Sequence, residues 1–361
     1  MSTCLENNAL LFKECLSSND VLLVPKTGVL ESRQEAQVIS NYIFNSPMDT
    51  VSSEALSEVI FGVGANYLPC RFDSLPEQQD FFQGRNTRDK DFRSRAWHKW
   101  ATVGSKQKDY ENIIRWHNEM PPELQRYPVN ICVDVAHGDT IYLHRMYEKY
   151  RALPFVHQIM SGTVATLASA EKCIESGCSH IRVGIGPGST CTTRIVTGCG
   201  FPNLAAVFNI HFGLLNKGEN IRSHPTIVAD GGIKNSGDIM KYLSAGADAV
   251  MIGSLFSKTT ESGGWKKPLF GRKYKYYRGQ ASKEFQLDKR GTFSTPEGIQ
   301  DSKKMYPEYS CSELINTLNG GIASGLSYLG LKSIQDLSPS QVEFIKITTS
   351  GRNESLPHIL K

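Results

Sequence analysis

From Val129 onward, short apolar runs alternate with helical patterns, and this alternation limits the folds open to the chain more than any other feature. Asn130 to Val135 reads as a strand, followed by a helical stretch near Tyr142 to Tyr150. Phe155 to Met160 precedes a helix from Thr166 to Ser176, and His180 to Ile185 precedes one from Asn203 to Leu215. Thr226 to Ala229, a helix from Gly237 to Ala245, and Ala249 to Ile252 complete the series. Repeated β-then-α units with wholly apolar strands imply a parallel sheet covered on its faces, either a barrel or a doubly wound sheet.

The polar motifs separate the two. Asp134, Cys191, Asp230-Gly-Gly232 and Gly253-Ser254 each fall just past the C-terminal end of a different strand. A doubly wound sheet gathers its site residues at one switch point, whereas a barrel supplies them from several successive strand ends. The expected fold is therefore an α/β (β/α)8 barrel, and 361 residues suit one such unit. Two stretches interrupt the rhythm. Phe72 to Lys108 is polar and rich in Arg and reads as a surface excursion. Gly271 to Asp301 is basic and weakly periodic and reads as a long loop, of the kind that often serves as an active-site flap.

Composition narrows the function. A formal charge of +4 with no dense Lys/Arg run gives nucleic-acid binding no electrostatic support. No apolar stretch approaches membrane-spanning length. Nine cysteines without metal-type spacing, and no secretory signal at Met1-Ser-Thr-Cys-Leu-Glu, suggest a reducing, cytoplasmic setting. Cys173 and Cys178 are expected to be packing or surface thiols.

Cys191 differs from the other cysteines. It lies in Arg182-Val-Gly-Ile-Gly-Pro-Gly-Ser-Thr-Cys-Thr-Thr-Arg194, a glycine-rich loop directly after a strand. Gly184, Gly186 and Gly188 let such a loop wrap a ligand closely, and Thr193 adds a hydroxyl able to relay protons. A lone Cys in a strand-to-helix turn is ordinarily buried and inert, because reactivity needs surroundings that favour the thiolate.

The surrounding sequence resembles the IMP dehydrogenase/GMP reductase family. The matching stretches are Asn19-Asp-Val-Leu-Leu-Val-Pro25, Ser46-Pro-Met-Asp-Thr-Val51, Val133-Asp-Val-Ala-His-Gly138, the cysteine loop and Ile227-Val-Ala-Asp-Gly-Gly232. Ala245-Gly-Ala-Asp-Ala-Val-Met-Ile-Gly-Ser254, Tyr277-Arg-Gly279, Pro296-Glu-Gly298 and Gly320-Gly-Ile322 follow in family order. The resemblance implies one barrel over residues 1–361, with a flap around 271–301 and no room for inserted CBS domains. It implies a cytoplasmic homotetramer that binds a purine 5′-monophosphate beside a nicotinamide cofactor, with neither nucleic acid nor membrane as partner.

By the same resemblance Cys191 is the nucleophile, and Thr193 with Glu297 forms a proton-donating dyad. Ser189, Gly232, Gly253, Ser254 and Tyr277 would hold the phosphate, and Asp230 the ribose hydroxyls. Ser46 and Met48 would line the ribose and base, while Gly279 and Gln280 address the purine edge. Asp134 and His137 would flank the dinucleotide. Carbonyls of Gly186, Gly188 and Cys191 would hold a K+ ion.

Two reactions share this apparatus. A reductase converts GMP to IMP and ammonia with NADPH, through a Cys191 adduct at purine C2; a dehydrogenase converts IMP to XMP with NAD. Cys191-Thr-Thr-Arg194 and Glu261-Ser-Gly-Gly264 resemble the reductases. The short stretch Gly279 to Glu297 also lacks the Arg-Tyr pair with which dehydrogenases activate water, Lys289-Arg290-Gly291 being the nearest approach. Ser46-Pro-Met-Asp-Thr50 and Thr295-Pro-Glu-Gly298 resemble the dehydrogenases. Thr163 replaces a usual Asn, Gln280 replaces a usual Met, and Asn66 to Phe72 lacks the common histidine-containing sequence. GMP reductase is the expected activity, with IMP dehydrogenase, or a member acting on a deoxy- or modified guanine nucleotide, as the alternatives.

Overall fold

The apolar runs form the expected strands, which are buried along most of their length. A computed structural model describes residues 14–73, 78, 100–216, 224–266, 271–301 and 304–357. Its sheet contains β1 (Ile43–Asn45), β2 (Trp100–Val103), β3 (Val129–Val133), β4 (Val156–Val164), β5 (His180–Val183), β6 (Thr226–Asp230) and β7 (Ala249–Ile252). All pairings are parallel, in the order β1-β7-β6-β5-β4-β3-β2.

The sheet curls until its ends meet. Phe44 of β1 and Trp100 of β2, on the two outermost strands, pack edge-to-face with ring centroids 5.9 Å apart. Residues 66–68 fill the eighth position: Asn66 bridges Phe44 in parallel, and its amide donates to the Ile43 carbonyl at 2.9 Å. On the free edge of β2 the Gln78 side chain stands in for a strand. It accepts from the Thr102 amide at 3.1 Å and donates to the Thr102 carbonyl at 3.3 Å. The architecture is that of a (β/α)8 barrel.

Two apolar clusters follow from this curl. Inside the barrel, Phe44, Leu68, Trp100, Cys132, Met160, Val228, Ala249 and Met251 form one buried group. The larger cluster lies between the sheet and the outer helices α1 (Glu54–Gly62), α2 (Gln107–Glu119), α3 (Ile141–Arg151), α4 (Leu167–Glu175), α5 (Asn203–Asn216) and α6 (Ser236–Ser244). Helix α3 shows the local logic. Thr140 caps it by accepting from the Leu143 amide at 3.1 Å, and Leu143, Met146, Tyr147 and Tyr150 bury one face at helical spacing. Cys173 and Cys178 are both buried, which makes them packing thiols.

Two elements depart from the sequence expectation. The Arg-rich stretch 72–108 ends in β2, all four residues of which are buried; the rest of it falls largely outside the described residues. The stretch 271–301, expected to be a loop, contains helix α7 (Lys283–Arg290). Ser282 caps α7 through the Phe285 amide, and Gly291 ends it with φ 71°, a left-handed turn that glycine adopts without strain. A long helix, α8 (Cys311–Leu329), opens with a Ser310/Glu313 capping box and packs along α6.

Candidate functional site

A barrel collects the loops after its strands at one mouth, and here those loops enclose a cavity of about 400 Å³. Ser46, Met48, Asp134, Thr163, Ser189, Cys191, Thr193, Asp230, Gly232, Gly253, Ser254, Tyr277, Gly279, Gln280 and Glu297 all line it. Gly186 and Gly188 line it as well. His137 is the exception: it is solvent-exposed and forms no part of the wall.

The cysteine loop is shaped by backbone proximity. At Gly184, with φ 154°, a Cβ would lie 2.2 Å from the Asp230 carbonyl oxygen, so only glycine lets β5 pass β6 here. Arg194 pins the far side of the loop by donating from Nε to the Ile185 carbonyl at 2.9 Å. The loop is also tied to the segment that carries Glu297: Thr192 donates its amide to the Glu297 carbonyl at 2.9 Å, and Cys191 bridges Gly298.

These ties create a three-group chain. Cys191 Sγ donates to Thr193 Oγ1 at 3.2 Å, and Thr193 Oγ1 donates to Glu297 Oε2 at 2.9 Å. The thiol and the carboxylate are 106 positions apart in the sequence, yet one hydroxyl links them. All three side chains are half-buried and open to the cavity.

Close backbone approach also shapes the wall formed by the loop after β7. A Cβ on Gly253 would lie 3.1 Å from Tyr277 Oη, 3.2 Å from Ser46 Oγ and 3.3 Å from Met48 Sδ. Burial pushes the Tyr277 phenol up, so it is a neutral donor at physiological pH. Backbone amides, small hydroxyls and a phenol on one rim suit an anionic oxygen cluster. Gln280 turns its amide toward the 46–49 loop, donating to the Pro47 carbonyl.

The floor holds a residue that the sequence reading left without a role. Arg182 points inward from β5 and is 6% exposed. It donates to Asp230 Oδ2 from Nη2 at 2.8 Å and Nε at 3.3 Å, and from Nη1 to Asp134 Oδ1 at 3.1 Å. Arg71 Nε lies 3.6 Å from Asp134 Oδ2, which extends the series to four alternating charges: Arg71, Asp134, Arg182, Asp230. Burial pushes the Asp230 carboxyl up while the Arg182 guanidinium pulls it down. Burial also opposes the Arg182 charge, but Asp230 and Asp134 outweigh it and hold the guanidinium protonated. The available signal was an Arg within a short buried strand, where an unpaired charge is untenable.

Above the floor, the stretch 278–298 forms a packed cap. Arg278 is buried and donates to Asp49 Oδ2 from Nη2 at 2.6 Å and from Nε at 3.0 Å, and from Nη2 to Asp288 Oδ2 of α7 at 2.6 Å. Phe285 is fully buried and meets Phe72 edge-to-face at 4.8 Å. Gln286 accepts from the Ser294 amide at 3.1 Å, closing the turn after α7 over the cavity.

The family profile described as the IMP dehydrogenase / GMP reductase domain matches residues 15–358. The chain is 38% identical over 250 residues to inosine-5'-monophosphate dehydrogenase of Chlorobaculum parvum, covering 63% of this chain and 47% of that protein. It is 38% identical over 236 residues to the Bacillus subtilis protein of the same name, covering 63% and 46%. Against the Borreliella burgdorferi protein of that name it is 31% identical over 404 residues, covering 96% and 97%. The chain thus spans about half the length of most of these curated relatives and nearly all of the last.

Proposed function

The chain belongs to the IMP dehydrogenase/GMP reductase family, and from that premise we propose that it is a purine-nucleotide oxidoreductase, specifically an NADPH-dependent GMP reductase. The observation that carries the proposal is the Cys191–Thr193–Glu297 chain. A thiol that hands its proton through a hydroxyl to a carboxylate becomes a nucleophile, and the carboxylate then holds a proton for a leaving group.

One proton carries the first half-reaction. Cys191 Sγ adds to C2 of GMP as its proton passes through Thr193 to Glu297. Glu297 returns the proton through Thr193 to the amino nitrogen on C2, which departs as ammonia and leaves the purine bound to sulfur. A bound nicotinamide cofactor would supply the hydride for C2; cleavage of the Cys191–C2 bond then gives IMP and a Cys191 thiolate, which takes a second proton from solvent to close the cycle. Ser189, Gly232, Gly253, Ser254 and Tyr277 anchor the phosphate, and Asp230, held by Arg182, receives the ribose hydroxyls. Asp134 and Thr163 border the space left beside Cys191 for a flat ring. Three neutral carbonyls, those of Gly186, Gly188 and Cys191, form a donor set suited to K+; the Gly188 carbonyl already accepts the Cys191 amide at 3.0 Å and keeps one lone pair free. Equal rates in potassium and in a bulky organic cation would remove the ion from the scheme.

The cap supports reduction over hydrolysis. A dehydrogenase must resolve its adduct with activated water, and the stretch 279–297 carries no Arg-Tyr pair for the task. Its arginine, Arg290, lies over the Phe72 ring at 5.8 Å. IMP dehydrogenase is the second reading, favoured by the names that its relatives carry and by Ser46-Pro-Met-Asp-Thr50. Incubation with GMP plus NADPH, and separately with IMP plus NAD, followed by chromatography, distinguishes them. The reductase yields IMP from GMP with loss of reduced-nicotinamide absorbance; XMP from IMP would overturn the assignment.

A further inference from the structure

We propose that Lys275 is a positioning residue for the substrate's phosphate: a buried ammonium that braces the wall after β7 and balances the phosphate charge without touching it. This inference rests on the reading that a nucleotide phosphate sits on Gly253, Ser254 and Tyr277. Lys275 is fully buried. Its Nζ donates to the Thr259 carbonyl and to Ser262 Oγ, on two residues that are themselves fully buried, and lies 4.9 Å from the centroid of the Trp265 ring. Thr259 ends the segment that Gly253 begins, after the short helical turn Ser254–Ser257. Tyr277, two residues beyond Lys275, stands at the other end of that segment, where a Cβ on Gly253 would lie 3.1 Å from its Oη. The two side chains therefore bracket Gly253–Thr259, one at each end.

The turn does not need this charge to hold its shape. Ser262 Oγ already donates to the Ser257 carbonyl at 3.0 Å and the Thr259 carbonyl at 3.1 Å. The ammonium meets a carbonyl, a hydroxyl and a ring, all neutral, and among the described residues no carboxylate lies within ion-pair distance of it. Burial lowers its pKa to about 8; Glu261 opposes that shift, but its Oε2 is engaged by the Cys311 amide at 2.8 Å, at the start of α8. A buried charge without a counter-ion is costly, and the missing counter-ion is supplied when an anion arrives. The groups assigned to the phosphate are themselves neutral: amides, hydroxyls and a phenol. Gly253 precedes Thr259 by six residues, roughly 9 Å of helical rise. At that range in protein surroundings, a unit charge changes the affinity for a dianion by about tenfold or more. The neighbouring groups keep their charge states near neutral pH. Burial pushes the phenols of Tyr276 and Tyr277 up, and those of Tyr309 and the Cys311 thiol up to about 12, while Glu308 pairs with Lys258 at 3.0 Å on the surface.

The test is calorimetric titration of GMP, and of guanosine, which lacks the phosphate, into protein carrying Cys191→Ala so that no adduct forms, with Lys275 intact or with Lys275→Met. The substitution is expected to weaken GMP about tenfold or more while leaving guanosine affinity within about twofold. With Lys275 intact, the preference for GMP over guanosine should fall as pH rises from about 7 to about 9, because the ammonium loses its proton while the phosphate stays a dianion. With Lys275→Met that preference should stay level, a difference that a purely structural lysine would not produce. Unchanged GMP preference in Lys275→Met, equal weakening of guanosine, or the same fall with pH in both proteins overturns the proposal and leaves the reductase reading intact. Should Lys275→Met fail to fold, the pH series with Lys275 intact decides alone, a level preference overturning the proposal. If the protein with Lys275 intact binds GMP no tighter than guanosine, the placement of the phosphate fails, and the reading of the cavity as a nucleotide site fails with it.

Discussion

The fate of one proton decides the chemistry at the scale of single residues. In the proposed reaction Cys191→Ala removes the nucleophile and leaves the phosphate loops intact, so turnover should vanish with GMP affinity kept; loss of GMP binding in calorimetry would make the thiol structural. Glu297→Gln keeps the shape and the acceptor for Thr193 but cannot store the proton. Ammonia release should slow by roughly 10²–10⁴-fold, more than hydride transfer, in single-turnover measurements. His180 provides a test of stability. Burial, with a lesser contribution from His157, lowers its pKa to about 4 from the ordinary 6.5, and its ring meets Trp100 edge-to-face at 4.8 Å across the lumen. Its neutral form is preferred in the fold, so the stabilisation is complete above pH 6.5 and is lost as pH falls toward 4. The full shift corresponds to about 3 kcal/mol. The stability gap between native protein and His180→Gln, from urea unfolding, should shrink over that window. Of these residues Cys191 could be read directly from the sequence, because glycines and a preceding strand surround it. Arg182 could not be, since its partners Asp134 and Asp230 lie 48 positions away on either side.

At the scale of elements, the cap depends on Arg278. Its two carboxylates differ in surroundings: the Asp49 side chain is 9% exposed and that of Asp288 is 57% exposed. Breaking a buried pair by removing one partner costs about 3–5 kcal/mol, whereas an exposed pair contributes at most about 1 kcal/mol. Asp49→Asn should therefore lower stability several-fold more than Asp288→Asn in denaturant titrations; equal effects would mean that the cap is held by Phe285 and Gln286 alone. The sequence concealed this element because α7 buries only Phe285 and Gln286, too few positions to impose a helical period on Lys283–Arg290. The same holds for β1 and β2, three and four residues long, the second trailing an Arg-rich stretch. From Val129 on, five apolar runs alternate with four amphipathic helices, and there the expected elements and the observed ones agree to within a few residues.

Across the whole molecule, the barrel joins an apolar lower lumen to a charged upper one. Phe44, Leu68, Trp100 and Met160 fill the first, and the alternating series from Arg71 to Asp230 fills the second. Leu68→Ala should cost about 2–5 kcal/mol, because that residue completes the closure between β1 and β2 and the cavity left cannot collapse. Arg182→Met leaves the buried Asp230 without a cation and Asp134 with Arg71 alone, 3.6 Å away. Burial already raises the Asp230 carboxyl, and losing Arg182 raises it further, so the variant should be destabilised at neutral pH and should recover as pH falls and Asp230 protonates; a pH-independent loss in thermal melts would refute the pairing.

Replacing Arg182, Asp134 and Asp230 together by aliphatic residues of like volume would free the lumen from this dependence and, by the general behaviour of buried ion triads, would leave it as durable or more so. Such a barrel would be sturdier but, on the proposed function, would lose its hold on the ribose and on the coenzyme. The buried charges of the upper lumen are thus a standing cost in stability.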